Sequence, residues 1–349
     1  MSQGKLTLIT STQPATLGKT FRLTASGLEK RTAAQMLSGS FEVREFSGVQ
    51  DLSQILASVG NDQAIMASLP ADGRSSGQLV TKAEKTNHPG ALSRTKDCFD
   101  FPANQPGVCV VDYDPPSGAA PLTQAQLWDV LRAAVPELES AGVLWWCSGS
   151  SYIYQGSEEV QGLRGQRVYL LIQDLIDTER FGEVLFKRLF LAGHGRYEIS
   201  TAGSLLSRSV IDRAMFQPAR LDFIGGSICE PPLEQRRGLP VVLSEGGWLD
   251  TRSALPDLTV PEQAKYEDRL EAEKLKASPE AARVKAEWQA ARKPEMVGKL
   301  VASGVPNDQA EERAERTLST ALGGALLGDF EITLADGKSV TVVSAPVEY

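Results

Sequence analysis

The sequence predicts an α/β chain of the α+β kind, with a helical region following a mixed sheet-and-helix body. Three observations carry that expectation. Short β-branched runs alternate with segments of helical periodicity up to about residue 255. Those helical segments open on capping residues and close on glycine or proline. Beyond Pro256 the composition shifts to Ala, Glu, Lys and Arg with few aromatics.

Leu6–Ile9, Phe21–Thr24 and Phe41–Arg44 have strand character, and Leu52–Val59 reads as a short helix. Pro70–Gly90 is polar and Gly/Ser-rich, so a surface loop is expected there. Val108–Val111 is short, apolar and β-branched, and the chain meets Pro115-Pro116 soon after, which marks a buried strand. Thr123 followed by Gln126 is a capping-box signature for a helix carrying Leu127, Leu131 and Ala134 as far as Pro136. Val143–Cys147 is a strand running into Ser148-Gly149-Ser150-Ser151, and Arg167–Ile172 is another. A helix capped near Asp177 places Phe181, Leu185 and Leu189 on its inner face, and Gly193 and Gly195 end it.

Residues 261–318 read as two or three helices, with Pro279, Pro294 and Pro306 at their starts. Phe330–Val342 reads as a hairpin around Asp336-Gly337, opening a linker to a further domain beyond Tyr349. The expected division is a body over 1–255, a helical region over 256–325 and the hairpin over 326–349. Within the body, an N-terminal α/β part covers about 1–105 and a motif-bearing core about 106–255.

At 349 residues there is room for about two domains with a sizeable core. No apolar run is long enough to span a bilayer, and the first residues lead into a strand rather than a signal peptide; the expected place is the cytoplasm. Cys98, Cys109, Cys147 and Cys229 lie far apart with no CxxC pair, and there are only two histidines, His88 and His194. Neither a zinc site nor a disulfide framework is expected, and the thiols read as reduced and mostly buried. A net charge of −8 argues against a protein that coats nucleic acid, yet permits an enzyme with a locally basic groove.

The chemistry centres on Val110-Val111-Asp112-Tyr113-Asp114-Pro115-Pro116. Alternation along a strand puts Asp112 and Asp114 on one face, where two carboxylates repel and a divalent ion makes the pair favourable. The bland reading is a strand-end residue followed by a turn cap. Asp212, after the apolar pair Val210-Ile211, is a candidate third carboxylate, with Asp174, Asp177 and Asp222 as rivals. Two ions about 3.5–4 Å apart can activate a hydroxyl and hold a leaving pyrophosphate.

Ser148–Ser151 offers small-residue backbone N–H groups and hydroxyls to a phosphate, or is an ordinary turn. Arg188, Arg196, Arg208, Arg213 and Arg220 make one stretch locally basic, which suits phosphate-backbone contact. Trp145 and Trp146 are candidates for base stacking, with at least one expected in the core. His194 reads as a helix-end residue.

Several blocks occur in a familiar order: Ala91-Leu92-Ser93-Arg94-Thr95, Phe99-Asp100-Phe101-Pro102, VVDYDPP, CSGSSYIY, Gly165-Gln166-Arg167-Val168-Tyr169, and SVIDRAMFQPARLDFIGG. Over roughly residues 90–240 the chain resembles the archaeo-eukaryotic primase superfamily, in particular primase-polymerase domains of phages, plasmids and integrated elements. The resemblance implies an RRM-like catalytic core in which Asp112, Asp114 and Asp212 bind two Mg²⁺ or Mn²⁺ ions. It also implies that Arg167, with Ser150 or Ser151 and with Arg94, meets the nucleotide triphosphate. Arg167 stands where that family carries a histidine; arginine holds phosphate bidentately and stays charged.

The activity so implied is metal-dependent addition of dNTP or NTP to a 3′-hydroxyl on a single-stranded DNA template. The setting is replication of a mobile element, with a helicase as partner and no membrane. Two other readings stay open: a non-catalytic module that binds DNA or recruits a helicase, and a nucleotide-sugar glycosyltransferase using the same DxD.

Overall fold

The structure, a computed structural model, describes residues 3–116, 118–324, 330–333 and 339–342, with side chains as far as Leu318. The chain forms two units, one of residues 1–192 and 210–259, the other of 193–209 and 260–349.

The first unit is organised by an eight-stranded sheet. In chain order its strands are β1 (Gly4–Gln13), β2 (Ser38–Phe46), β3 (Gln63–Met66), β4 (Ser76–Val80), β5 (Gly107–Tyr113), β6 (Gly142–Cys147), β7 (Gln166–Ile172) and β8 (Val241–Glu245). Their spatial order is β8-β6-β7-β5-β1-β2-β4, with β3 also on β1. Every pairing is antiparallel except β1 with β5, which meet at Lys5 and Gly107. Because β2 runs along the whole of one edge of β1, β3 and β5 share the other edge, one beyond the other. The end of β5 therefore projects past β1, and its outer edge is free to take another segment.

All seven residues of β5 are buried, as its unbroken apolar run before Asp112 demands. Helix α1 (Val49–Ser58) packs on β2, β6 and β8, while α2 (Gln124–Ala134) and α3 (Thr178–Leu189) pack on each other. The capping box of α2 is formed: the Thr123 hydroxyl accepts the Gln126 N–H at 3.2 Å, and the Gln126 side chain accepts the Thr123 N–H at 2.8 Å. Gly193, at φ 100°, turns the chain out of the helical path beyond α3, a conformation that suits glycine.

The Pro70–Gly90 stretch, expected as a loop, contains the edge strand β4 and a 3₁₀ turn at Glu84–Asn87. Its polar Ser76-Gly77-Gln78 sequence hides the strand, since at a sheet edge the backbone pairing with β2 does what side-chain burial does elsewhere.

In the second unit a hairpin, Arg196–Ile199 with Leu205–Arg208, packs on α4 (Val260–Ala302), which is followed by α5 (Asn307–Gly324). Helix α4 runs unbroken for 43 residues through Pro279 and Pro294, so neither proline starts a helix. Each proline removes one helical N–H. Strong helix formers surround them, and pairs such as Arg283 with Glu280 and Glu287 bridge successive turns. Pro306 does stand at a helix start, its C=O accepting the Ala310 N–H. Met296, Leu300, Val305, Ala310, Ala314 and Leu318 form the core between α4 and α5.

The tail strands Phe330–Thr333 and Ser339–Val342 pair antiparallel; Asp336-Gly337 lies outside the described residues. No helix among the described residues is long and apolar enough to cross a membrane. Cys98, Cys109 and Cys147 are buried free thiols and Cys229 is a half-buried one.

Candidate functional site

The candidate site lies at the end of β5, in the first unit. Asp112 sits directly opposite Arg167 in the β5–β7 pairing, so their side chains leave the sheet on the same face. On the outer edge of β5 the Asp212 N–H donates to the Asp112 C=O at 2.9 Å, which brings the 210–212 segment alongside. Asp212 then caps a 3₁₀ turn over Arg213–Phe216, its Oδ1 accepting the Ala214 N–H at 3.0 Å. Asp114, just past the strand end, lies over Gly165: a Cβ there would come within 2.4 Å of Asp114 Oδ1 and 3.1 Å of Ser148 Oγ. The lack of a side chain at Gly165 is what lets the carboxylate sit there.

Asp222 joins from another direction. It bridges to Ile65 of β3, is 2% exposed, and accepts bonds from Arg167 Nε at 2.9 Å and the Tyr169 hydroxyl at 2.6 Å. Arg167 is thus held between two acids, with Nη1 on Asp112 and Nε on Asp222. The other rivals are engaged elsewhere. Asp174 caps its own turn and accepts the Asn104 N–H, and Asp177 pairs with Arg180.

The Asp112 carboxyl is pushed up to about 8: burial raises it, Arg167 opposes, and the charges of Asp114, Asp222 and Asp212 add to the rise. Burial opposes the charge on Arg167, but Asp112, Asp222 and Asp114 outweigh it and hold the guanidinium charged. Tyr169 is raised by burial and by Asp222, so it stays a donor.

Lys19, on the strand Gly18–Thr24, is a further member, and nothing in the sequence singles it out from other strand lysines. Its ammonium donates to the Ser150 hydroxyl. Burial pulls its pKa down, the neighbouring charge of Arg167 adds to that, and Asp114 and Asp112 oppose it. Arg237 acts on Asp222 from the side of Trp146, over whose ring its guanidinium stacks at 3.8 Å. Asp112, Asp114, Asp212 and Asp222 thus share this region with Arg167, Lys19 and Arg237.

Other expected residues stand differently. Ser151 is fully buried, its hydroxyl taking the Arg164 N–H and donating to the Gly165 C=O, so it braces the turn rather than facing a ligand. The N–H groups of Ser148, Ser150 and Ser151 are engaged within the same turn region, which leaves Ser150 Oγ as the group turned toward Lys19. Arg94 is not part of the Asp112 cluster. It donates to the Ala219 C=O at 3.3 Å, and burial and then the charge of Arg220 lower its pKa. Neither Arg94 nor Arg220 has a carboxylate partner among the described residues.

The remaining basic stretch is largely paired, Arg196 and Arg208 with Glu198 and Arg213 with Glu183. Trp145 and Trp146 are both core residues, with indole N–H groups on Gln166 and on the Gly238 C=O. Neither is open to a base.

The donor chemistry of the cluster, hard carboxylate oxygens, suits Mg²⁺ or Mn²⁺. The placement does not. Among the described residues no group of three or more His, Cys, Asp or Glu is arranged to hold a metal ion. Among the described residues the one side-chain partner of Asp112 is Arg167. Comparison of the chain with protein-family models, with curated proteins and with solved structures found no match in any of the three.

Proposed function

We propose that this chain is a nucleotidyltransferase of the primase-polymerase kind, acting with dNTP or NTP on single-stranded DNA. The observation that supports this reading is the convergence at one strand end of Asp112, Asp114 and Asp212, drawn from segments far apart in sequence. Carboxylates gathered this closely raise one another's pKa, an arrangement that clusters at functional sites. Lys19 and Ser150 supply the phosphate-facing side of the same site, and a lysine with no carboxylate partner among the described residues is suited to an incoming triphosphate. Arg94 and Arg220, near each other and without a carboxylate partner among the described residues, suit the phosphates of the template strand. Divalent ions, when bound, would supply charge neutralisation for phosphoryl chemistry. A helicase as partner or as a neighbouring domain belongs to the same proposal.

The test is primer extension and primer-free synthesis on single-stranded DNA with labelled dNTP or NTP and Mg²⁺ or Mn²⁺. Wild type is compared with the Asp112→Ala/Asp114→Ala double variant. Products from wild type alone support the reading, and products without a primer add priming to it. Activity retained by the double variant sinks it.

One observation favours a second reading. Arg167 already pairs with both Asp112 and Asp222, as it would in a module that binds DNA without chemistry. Tight single-strand binding with no incorporation under either metal would decide for that platform.

A further inference from the structure

We propose that Cys98 and Lys85 form a peroxide-responsive pair, in which the thiolate takes oxygen from a hydroperoxide and the lysine amine then closes a nitrogen–sulfur bond onto it. Neither residue belongs to the carboxylate cluster, and the chemistry does not require that the chain act on nucleotides.

Two turns bring the groups together. Lys85 lies on the 3₁₀ turn Glu84–Asn87, and Cys98 ends a second turn, its N–H donating to the Thr95 C=O at 3.0 Å. Between them Leu92 pairs with β4, donating to the Gln78 C=O and accepting the Val80 N–H at 3.0 Å each, which folds the loop back on itself. The Lys85 ammonium donates to Cys98 Sγ at 3.4 Å. Ser93 Oγ stands 3.9 Å from the same sulfur, and the Ser93 N–H and Thr95 hydroxyl bond to it as well. Lys85 has no carboxylate partner among the described residues; the adjacent Glu84 accepts from Asn87 at 3.0 Å instead.

This surrounding sets Cys98 apart from the other thiols. Burial raises its pKa, but the bonds from Ser93, Thr95 and Lys85 outweigh burial and hold it below the ordinary thiol value, which favours the nucleophilic thiolate. Burial raises Cys109 and Cys229, and it pushes Cys147 up to about 11 against the pull of Arg237. Cys98 is 6% exposed, yet Lys85 is an exposed residue, so the sulfur lies one side chain below solvent and within reach of a small oxidant. Atoms about 3–3.5 Å apart are at attack distance, and Nζ already stands at 3.4 Å.

The thiolate attacks one peroxide oxygen, the O–O bond breaks, and sulfur is oxidised to a sulfenic acid as the peroxide is reduced. The hydroxide released takes a proton from the Lys85 ammonium and leaves as water. The freed amine attacks sulfur, the nitrogen–sulfur bond forms and the S–O bond breaks, its hydroxide leaving as water with a second amine proton. Thiol, amine and peroxide thus give a sulfenamide and two waters. Linkage holds sulfur short of the irreversible sulfinic stage. It also removes the Lys85 charge and ties the 84–87 turn to the segment that carries Arg94.

The experiment treats the full chain with hydrogen peroxide, traps free thiols with iodoacetamide and maps peptides by mass. Cys109, Cys147 and Cys229 serve as references in the same sample, and Cys98 is expected to react at least about tenfold faster than any of them. A linked Lys85–Cys98 peptide, two hydrogens lighter than its separate parts, should form and be reopened by dithiothreitol. Lys85→Met should slow Cys98 oxidation at least about fivefold, by loss of the cation beside the thiolate. Lys85→Arg keeps that cation, so the rate should stay within about twofold of wild type while the link gives way to a sulfenic acid trapped by dimedone. Four thiols reacting alike overturn the pair, as does Cys98 oxidation unchanged in Lys85→Met. Sulfinic acid at Cys98 of the wild type without any linked peptide overturns it too.

Discussion

Replacing Asp177 by asparagine is expected to destabilise the first unit by about 3 kcal/mol. The carboxylate is 1% exposed and accepts Arg180 Nε and Nη2 at 2.6 Å each and the Thr251 hydroxyl at 2.6 Å. Arg180 in turn holds the C=O groups of Leu255 at 2.8 Å and Thr251 at 3.1 Å, tying the start of α3 to the segment that closes the unit. Removing one partner of a buried ion pair costs about 3–5 kcal/mol because the other charge is stranded. The lower end applies, since Arg180 is 23% exposed and keeps Asp257 at 3.0 Å.

In a unit of this size each kcal/mol moves the melting temperature by about 2–4 °C, so a fall of roughly 6–12 °C is expected. The pH dependence follows from the direction of the shift. Burial raises the Asp177 pKa, but the Arg180 and Thr251 hydrogen bonds and the nearby arginines bring it below its ordinary value of 3.8. A depressed carboxyl contributes stability above its unfolded value and loses it as pH falls toward the folded one. The gap between wild type and Asp177→Asn should therefore be full near neutrality and close below 3.8. Thermal melts followed by circular dichroism at the two pH values measure both. A shift under about 2 °C near neutrality, or a gap that persists in acid, refutes the reasoning.

Two further predictions concern the candidate site. Gly165→Ala places a Cβ 2.4 Å from Asp114 Oδ1, so the carboxylate must move. Incorporation should fall at least about tenfold while stability changes by no more than about 1–3 kcal/mol, measured by primer extension beside thermal melts. Lys19→Met should raise KM for the nucleotide about tenfold, the loss of one charge-assisted bond, with kcat within about twofold. A fall in kcat at constant KM would take Lys19 out of ground-state phosphate binding.

Much of the sheet was legible because its central strands are buried on both faces. The run Val108–Val111 and the strand Arg167–Ile172 could hardly be anything else. The edge strand β4 was not, because an edge strand with polar residues looks like loop until its partner is known. Helix α4 was read as several because a proline is a local signal, while the pairs and packing that carry the helix past it are spread over many turns.

In the site, Asp112 near the end of its strand was readable, whereas Asp212, expected at a strand end as well, follows a segment that is not a strand and caps a 3₁₀ turn. The actual neighbours of these acids were not readable. Lys19 comes from a strand outside the main sheet, and whether Arg167 faces solvent or two acids depends on the register of β5 against β7. Ser151 shows the same limit, since a serine that braces a turn and one that holds a ligand are identical in sequence.

The chain leaves the first unit at residue 193, returns at 210 and leaves again at 260. During synthesis every residue of the carboxylate cluster, up to Asp222 and Arg237, emerges before α4 does. The candidate site can thus close on the nascent chain, whereas the hairpin over 196–208 must wait for its helix. A fragment ending at 259 would carry that hairpin stripped of its packing partner. Dissecting the protein into working halves therefore takes an excision as well as a truncation, with 193–209 replaced by a short bridge that lets Asp212 reach Asp112.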